Sequence, residues 1–170
     1  MILLSRPWKT AKVRRVFLLS TVVCFVLATG VSPAGDKQPR PFHGSVTAVW
    51  DDIFNGLFAP PANFAGGGPV THMGNTTQTG TLYLGPPDEN LMFPGYGSVT
   101  IVAANGDQVT FDYEGELDGV TGEGTGTFTF TGGTGRFAGA TGQGTFDAHI
   151  DLSLPTDQPM TVTLDGKISY

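Results

Sequence analysis

The sequence predicts an all-β fold, a single eight-stranded antiparallel barrel with two long apolar loops. Apolar and polar residues alternate with a period of two, as in residues 125–131 (TGTFTFT), where Phe128 and Phe130 share one face. Such alternation is typical of strands with one buried face. Turn signals separate the alternating segments, and no segment has the periodicity of an amphipathic helix. A barrel or a sandwich fits this pattern, and a barrel is favoured because it leaves no exposed strand edges.

The turn signals divide the chain into eight expected strands. Asn105-Gly106 is the strongest of them, because both central residues of the favoured hairpin turn need positive φ. Residues 132–135 (GGTG) predict a second tight turn. The strands are expected near residues 42–49, 69–76, 78–84, 97–103, 108–117, 124–131, 142–153 and 160–169.

Residues 1–34 have the organisation of a signal peptide. Residues 1–15 carry five basic and no acidic side chains, residues 16–28 are almost wholly apolar, and small residues follow up to Ala34. The apolar segment of 13 residues is shorter than the roughly 20 residues that a membrane-spanning helix needs. We therefore expect cleavage near Ala34, export to the periplasm or the medium, and no integral membrane segment after cleavage.

The sequence of residues 1–34 does not distinguish between two export routes. Arg14-Arg15 followed by Val-Phe-Leu fits a twin-arginine signal, and it fits an ordinary basic leader equally well. Residues 35–41 (GDKQPRP) are polar and hold two prolines, which predicts a flexible lead-in. The β-barrel domain is expected over residues 42–170.

The part of the chain after the leader is strongly acidic. Nine Lys and Arg and fifteen Asp and Glu occur in the whole chain, and five of the basic residues precede residue 35, which leaves a net charge of −11. Such a surface repels phosphate backbones, so we expect no nucleic-acid partner. The single cysteine, Cys24, lies in the leader, so the domain must be held by its core rather than by disulfides.

Two segments, residues 50–68 and 85–97, interrupt the alternation and are rich in apolar residues. Loops are usually polar, so apolar loops are expected to cover something. They either plug a barrel end or pack in a homo-oligomer interface, or they form a lid over a cavity that binds a small apolar ligand. If the loops form a lid over a ligand cavity, the ligand-binding residues are expected to be Trp50, Phe54, Phe58, Phe93 and Tyr96.

No motif for a metal, a cofactor or a nucleotide is present in the sequence. The glycine clusters have strands on both sides and no following lysine, unlike phosphate-binding loops. The three histidines have no His or Cys partner at ligand spacing, and zinc needs three or four ligands. We expect no cofactor and no metal site.

Three carboxylates on one strand are the strongest candidates for acid–base catalysis in the sequence. Asp112, Glu114 and Glu116 alternate with apolar or small residues and therefore share one strand face. If that face points inward, the carboxylates raise one another's pKa and Glu114 becomes a candidate acid or base, with His72 as a second candidate. If it points outward, the carboxylates are solvated and aromatic side chains fill the lumen. The alternation does not say which face is inside.

Residues 131–142 (TGGTGRFAGATG) resemble the Gly-Gly-Thr-Gly-Arg-Phe segment of dirigent proteins and, more loosely, the corresponding turn of allene oxide cyclases. The match covers about a dozen residues, and the flanking sequences fit a strand–turn–strand context. It is also similar to exported bacterial proteins with the same barrel. The resemblance implies an eight-stranded barrel that binds a hydrophobic or reactive molecule and steers its cyclisation or coupling. Arg136 is the matched charged position.

These observations favour an exported β-barrel that binds a small, mostly apolar molecule. The first alternative is a cyclase or isomerase, with Glu114, His72 and Arg136 as the catalytic candidates. The second alternative is a structural or interaction protein of the cell exterior with a filled barrel.

Overall fold

The computed structural model describes residues 38–54 and 61–170, so the predicted leader lies outside the described residues. Eight antiparallel strands close into a barrel in sequence order, with β8 paired to β1, which confirms the predicted fold class. In the described ranges, no helix is long and apolar enough to cross a membrane. The strands are β1 (Arg40–Trp50), β2 (Ala62–Val70), β3 (Gly74–Leu84), β4 (Met92–Val102), β5 (Gln108–Asp118), β6 (Glu123–Gly133), β7 (Thr141–Ile150) and β8 (Gln158–Ser169).

Strands β2, β3 and β4 begin several residues earlier than the sequence pattern indicates. Strand β2 occupies Ala62–Val70, so part of the first apolar segment is strand, and residues 71–73 form a turn where strand is expected. The run Gly66-Gly67-Gly68 hides this strand because glycine contributes nothing to an apolar–polar alternation. A Cβ at Gly66 would overlap the backbone of β1, so the close approach of the two strands requires glycine there. Strand β4 begins at Met92, inside the second apolar segment.

The apolar face of each strand points into the barrel. On β5, Val109 and Phe111 are buried, while Asp112 and Glu114 are exposed. Burying unpaired carboxylates in an apolar interior would cost far more free energy than burying the aromatic face. The acidic face of β5 is therefore on the outside, and the lumen is lined by apolar side chains.

One end of the barrel, here called the packed end, is where β2, β4 and β6 finish and β3, β5 and β7 begin. Phe42, Phe111, Phe128 and Phe130 meet there with ring centroids 4.9 to 5.9 Å apart, mostly edge to face. Aromatic pairs in this geometry are stabilising beyond the apolar area that they bury. The fully buried Phe137 belongs to a 3-10 turn, Gly135–Phe137, that follows β6 and closes this end.

Candidate ligand cavity

The opposite end of the barrel, here called the cavity end, is where β1, β3, β5 and β7 finish. The interior beside it holds an apolar cavity of about 90 Å³. Apolar side chains of β1, β2, β3, β7 and β8 form most of its wall. They include Trp50, Phe64, Leu82, Leu84, Phe146, Ile150 and Met160.

Glycines on the inner face keep this volume open. Gly95, Gly115 and Gly124 line the cavity from β4, β5 and β6, at positions where other strands carry large side chains. A Cβ added at Gly115 would overlap the Thr125 carbonyl oxygen, so that glycine is required by the close approach of β5 and β6. At Gly124 the nearest atoms to an added Cβ lie 3.6 to 3.9 Å away, which is ordinary contact distance. Gly124 therefore leaves free space that a methyl group could occupy.

A buried glutamine ties two loops together across the cavity end. Gln158 is fully buried, and its Nε2 donates to the carbonyl oxygens of Leu154 (3.0 Å) and Pro155 (3.3 Å). Its Oε1 accepts a hydrogen bond from the N–H of Ile53 (3.1 Å). Ile53 is itself fully buried and lines the cavity. The Gln158 amide thus fixes the segment after β1 to the segment before β8.

Two polar side chains reach the cavity from the inner faces of β3 and β5. Tyr113 lines it and donates its hydroxyl hydrogen to the Thr81 carbonyl oxygen (2.8 Å). Gln78 also lines it and is 5% exposed. Nearby, the indole N–H of Trp50 donates to the sulfur of Met160 (3.1 Å). The cavity is therefore apolar with two localised hydrogen-bonding groups.

Burial raises the pKa of the Tyr113 phenol above its ordinary value of about 10. Because the folded-state pKa is raised, this residue's contribution to stability is complete below about pH 10 and falls as the pH rises above it. When the pH is raised from about 9 to about 11, the unfolding free energy of a Tyr113→Phe variant is expected to decrease less than that of the parent protein. Urea unfolding across that range measures this, and parallel losses in the two proteins would contradict it.

The predicted ligand-binding residues occupy different parts of the barrel. Trp50 is buried and lines the cavity, and Phe93 is buried at the start of β4. Phe54 is half-buried and packs against the core. Phe58 lies outside the described residues. Tyr96 is 59% exposed on the outer face, where its ring is stacked on that of Tyr83 at 5.2 Å.

The structure does not bring the three catalytic candidates together. Glu114 is exposed on the outer wall, opposite Tyr96 in the β4–β5 register. His72 lies in the β2–β3 turn at the packed end, with Nε2 2.9 Å from the Pro41 carbonyl oxygen. Arg136 also lies at the packed end, across the barrel from the cavity. Among the described residues that line the cavity, none of these three is present.

The turn that carries the dirigent resemblance seals the packed end. Gly135 has a φ of 57°, a conformation that favours glycine, and it starts the short 3-10 turn. The Nε atom of Arg136 lies 3.6 Å from the Asp107 carboxylate, and its guanidinium carbon lies 4.9 Å from the centre of the Phe137 ring. Phe137 packs against Tyr170 with ring centroids 4.7 Å apart. Arg136 and Phe137 thus both act in closing this end.

Within residues 38–54 and 61–170, no group of three or more His, Cys, Asp or Glu side chains is placed to hold a metal ion. The residue pattern does not single out Gln78, Tyr113, Gly124 or Gln158, which shape the cavity. For Gln78 a signal exists, since it is, with Thr76, one of two polar side chains on the face that Leu82 and Leu84 also share. That signal becomes readable once the inner face of β3 is known.

Comparison with known proteins finds similarity to solved structures. No protein-family model matches the chain, and no curated protein matches it. A solved structure of a pterocarpan synthase dirigent protein is similar to it, with a TM-score of 0.44 and 12% sequence identity, over 78% of this chain and 86% of that one. The eight-stranded barrel implied by the dirigent resemblance is present here, as the closed order of strands β1 to β8 establishes independently of this match.

Proposed function

We propose that this protein is an exported β-barrel that binds one small, uncharged, mostly apolar molecule in the cavity. The partly open apolar cavity at the cavity end carries this proposal. Protein interiors are close-packed, and an empty volume of about 90 Å³ costs about 2 kcal/mol of stability. A ligand that fills the cavity would recover that free energy. The export part rests on the leader pattern of residues 1–34.

The size of the cavity limits the ligand. It is smaller than an engineered cavity of about 150 Å³ that takes benzene, and well below the volume of sites for drug-sized molecules. Because the cavity is partly open, a molecule of about six heavy atoms, or a group of that size on a larger molecule, can bind with part of its surface at the opening. With so few atoms, we expect a dissociation constant of about 1 mM.

The lining of the cavity selects against charge. Glu116 borders it from a strand position whose side chain is exposed, and the other described lining residues are uncharged. A charged ligand group would lose its hydration without gaining an ionic partner, which is strongly unfavourable. The cyclase or isomerase alternative has less support, because Glu114, His72 and Arg136 lie away from the cavity wall. Exposed Tyr96, stacked on Tyr83, favours an interaction role as the second candidate.

Methionine-methyl NMR tests ligand binding, because the methionines report on separate regions. Met160 lines the cavity, and Met73 is buried in the β2–β3 turn at the packed end. Titration with methylenecyclopentane is expected to shift the Met160 methyl signal saturably and to leave the Met73 signal nearly unchanged. A saturable response at Met160 would locate the hydrocarbon at the cavity end. A folded protein whose Met160 signal does not respond would overturn the proposal.

A cavity-filling variant supplies the control for that titration. Gly124→Ala adds a methyl group where the structure has room and reduces the free volume. It is expected to weaken methylenecyclopentane binding about tenfold, whereas Thr125→Ala, at the exposed neighbouring position of β6, leaves binding unchanged. Equal affinity in the Gly124→Ala variant would place the ligand outside the cavity.

A further inference from the structure

Gln78 is a buried polar side chain whose amide has no hydrogen-bond partner among the described residues. It occupies an inner position of β3 and is 5% exposed, and its strand neighbours are Gly66 and Ile101. Every other buried glutamine or threonine side chain in the described ranges has a partner: Thr76 donates to the Gly68 carbonyl oxygen, and Gln158 makes three hydrogen bonds. An apolar residue at position 78 would fit the surrounding core better.

The Gln78 amide borders the cavity. No side-chain nitrogen or oxygen in the described structure is both fully enclosed and without a partner. The amide atoms of Gln78 must therefore border open space, and Gln78 is one of the residues that line the cavity. The wall is otherwise almost wholly apolar, so the Gln78 amide is an isolated, unpartnered hydrogen-bonding group at its edge.

We infer that Gln78 is the polar recognition residue of the cavity, and that the ligand carries one uncharged carbonyl or hydroxyl oxygen that this amide binds. The inference rests on the proposed ligand cavity and adds the chemical class of the ligand. A buried amide without a partner is costly, and a ligand oxygen that accepts from Nε2 removes that cost. A carboxylate would also accept this hydrogen bond, but its charge has no partner in the apolar wall.

A pair of isosteric probes tests this recognition. Cyclopentanone and methylenecyclopentane have the same shape and differ in a carbonyl oxygen or a methylene group. Both are titrated into the parent protein and into a Gln78→Leu variant, with the Met160 methyl signal as the readout. Leucine is close to glutamine in volume and leaves no polar group unpaired, so this variant is expected to fold at least as stably.

Gln78→Leu is expected to weaken cyclopentanone binding about twofold to tenfold, the usual range for one neutral hydrogen bond. Methylenecyclopentane binding is expected to stay the same or to tighten. The change in the ketone-to-alkene affinity ratio isolates the hydrogen bond, because effects on cavity shape apply to both probes. An unchanged ratio would overturn the assignment to Gln78 while leaving the proposed function intact. Failure of both probes to bind the parent protein would overturn both proposals.

The side-chain amide signals of the two buried glutamines provide a second readout that needs no variant for its interpretation. Cyclopentanone is expected to shift the Gln78 amide signals strongly, and methylenecyclopentane is expected to shift them weakly. The Gln158 amide, which is already fully hydrogen-bonded, is the internal control and should respond little to either probe. Equal shifts of the Gln78 amide with ketone and alkene would contradict a hydrogen bond to the ligand.

Discussion

A Gly126→Ala variant is expected to lose about 3 kcal/mol of unfolding free energy, whereas Gly124→Ala is expected to gain about 0.5 to 1 kcal/mol. The two glycines lie two residues apart on the inner face of β6. A Cβ at Gly126 would overlap the Glu114 carbonyl oxygen and lie 2.7 Å from the Gly115 Cα atom, and backbone atoms cannot move aside cheaply. At Gly124 the added Cβ makes ordinary contacts and reduces the entropy of the unfolded chain.

Urea unfolding of the two variants beside the parent protein measures this difference. Each substitution adds the same methyl group to the same face of the same strand, so composition and helix or strand propensity cancel between them. Similar midpoints for the two variants would show that the spacing between β5 and β6 tolerates a side chain at residue 126. A destabilised Gly124→Ala variant would show that the space beside Gly124 is smaller than the structure indicates.

A Gln158→Leu variant is expected to lose about 3 kcal/mol of unfolding free energy. Leucine fills a similar volume but leaves the N–H of Ile53 and the carbonyl oxygens of Leu154 and Pro155 without their partner. Each buried group left without a partner costs about 1 to 3 kcal/mol of unfolding free energy. The total is smaller than the sum of the three costs because water can reach part of the loops and hydrogen-bond some of these groups. Amide hydrogen exchange at Ile53 should also accelerate, because its N–H loses the Gln158 oxygen.

Gln143→Leu is the matched control, because Gln143 is exposed on the outer face of β7. It is expected to change the unfolding free energy by less than about 0.5 kcal/mol. If the Gln158 and Gln143 variants unfold alike, or if the exchange rate at Ile53 stays the same, then the Gln158 amide does not hold the cavity end closed.

The two glutamine substitutions are expected to act in opposite directions. Gln78 and Gln158 are both buried, but Gln158 makes three hydrogen bonds and Gln78 makes none among the described residues. Replacement by leucine therefore removes bonds at residue 158 and removes an unpaired polar group at residue 78. The contrast separates a glutamine that serves the fold from one that is available to a ligand.

Local sequence predicts much of the barrel. The alternation of Phe128 and Phe130 with threonine marks an inner face, and Asn105-Gly106 marks the position of the turn between β4 and β5. The expected turn type is wrong, because Gly106 has a φ of 88° but Asn105 does not have a positive φ, and the Gly106 N–H donates to the Ala103 carbonyl oxygen. Most of strand β2 is not predicted, because three consecutive glycines erase the period of two. These glycines allow the backbones of the neighbouring strands to approach closely. The distance between two strands cannot be inferred from the sequence of one strand alone.

The residue pattern is sufficient for the all-β class and the number of strands, because both follow from periodicity and turn signals. Tertiary structure alone decided which face lines the lumen and which residues meet at the cavity. Ile53 and Gln158 are 105 residues apart in sequence, and the closure of β8 onto β1 brings them within hydrogen-bonding distance. Glu114 lies on the outer wall in the middle of β5, whereas His72 and Arg136 lie in turns at the packed end. A period of two defines two faces on each strand, but barrel curvature and strand register determine what each face contacts.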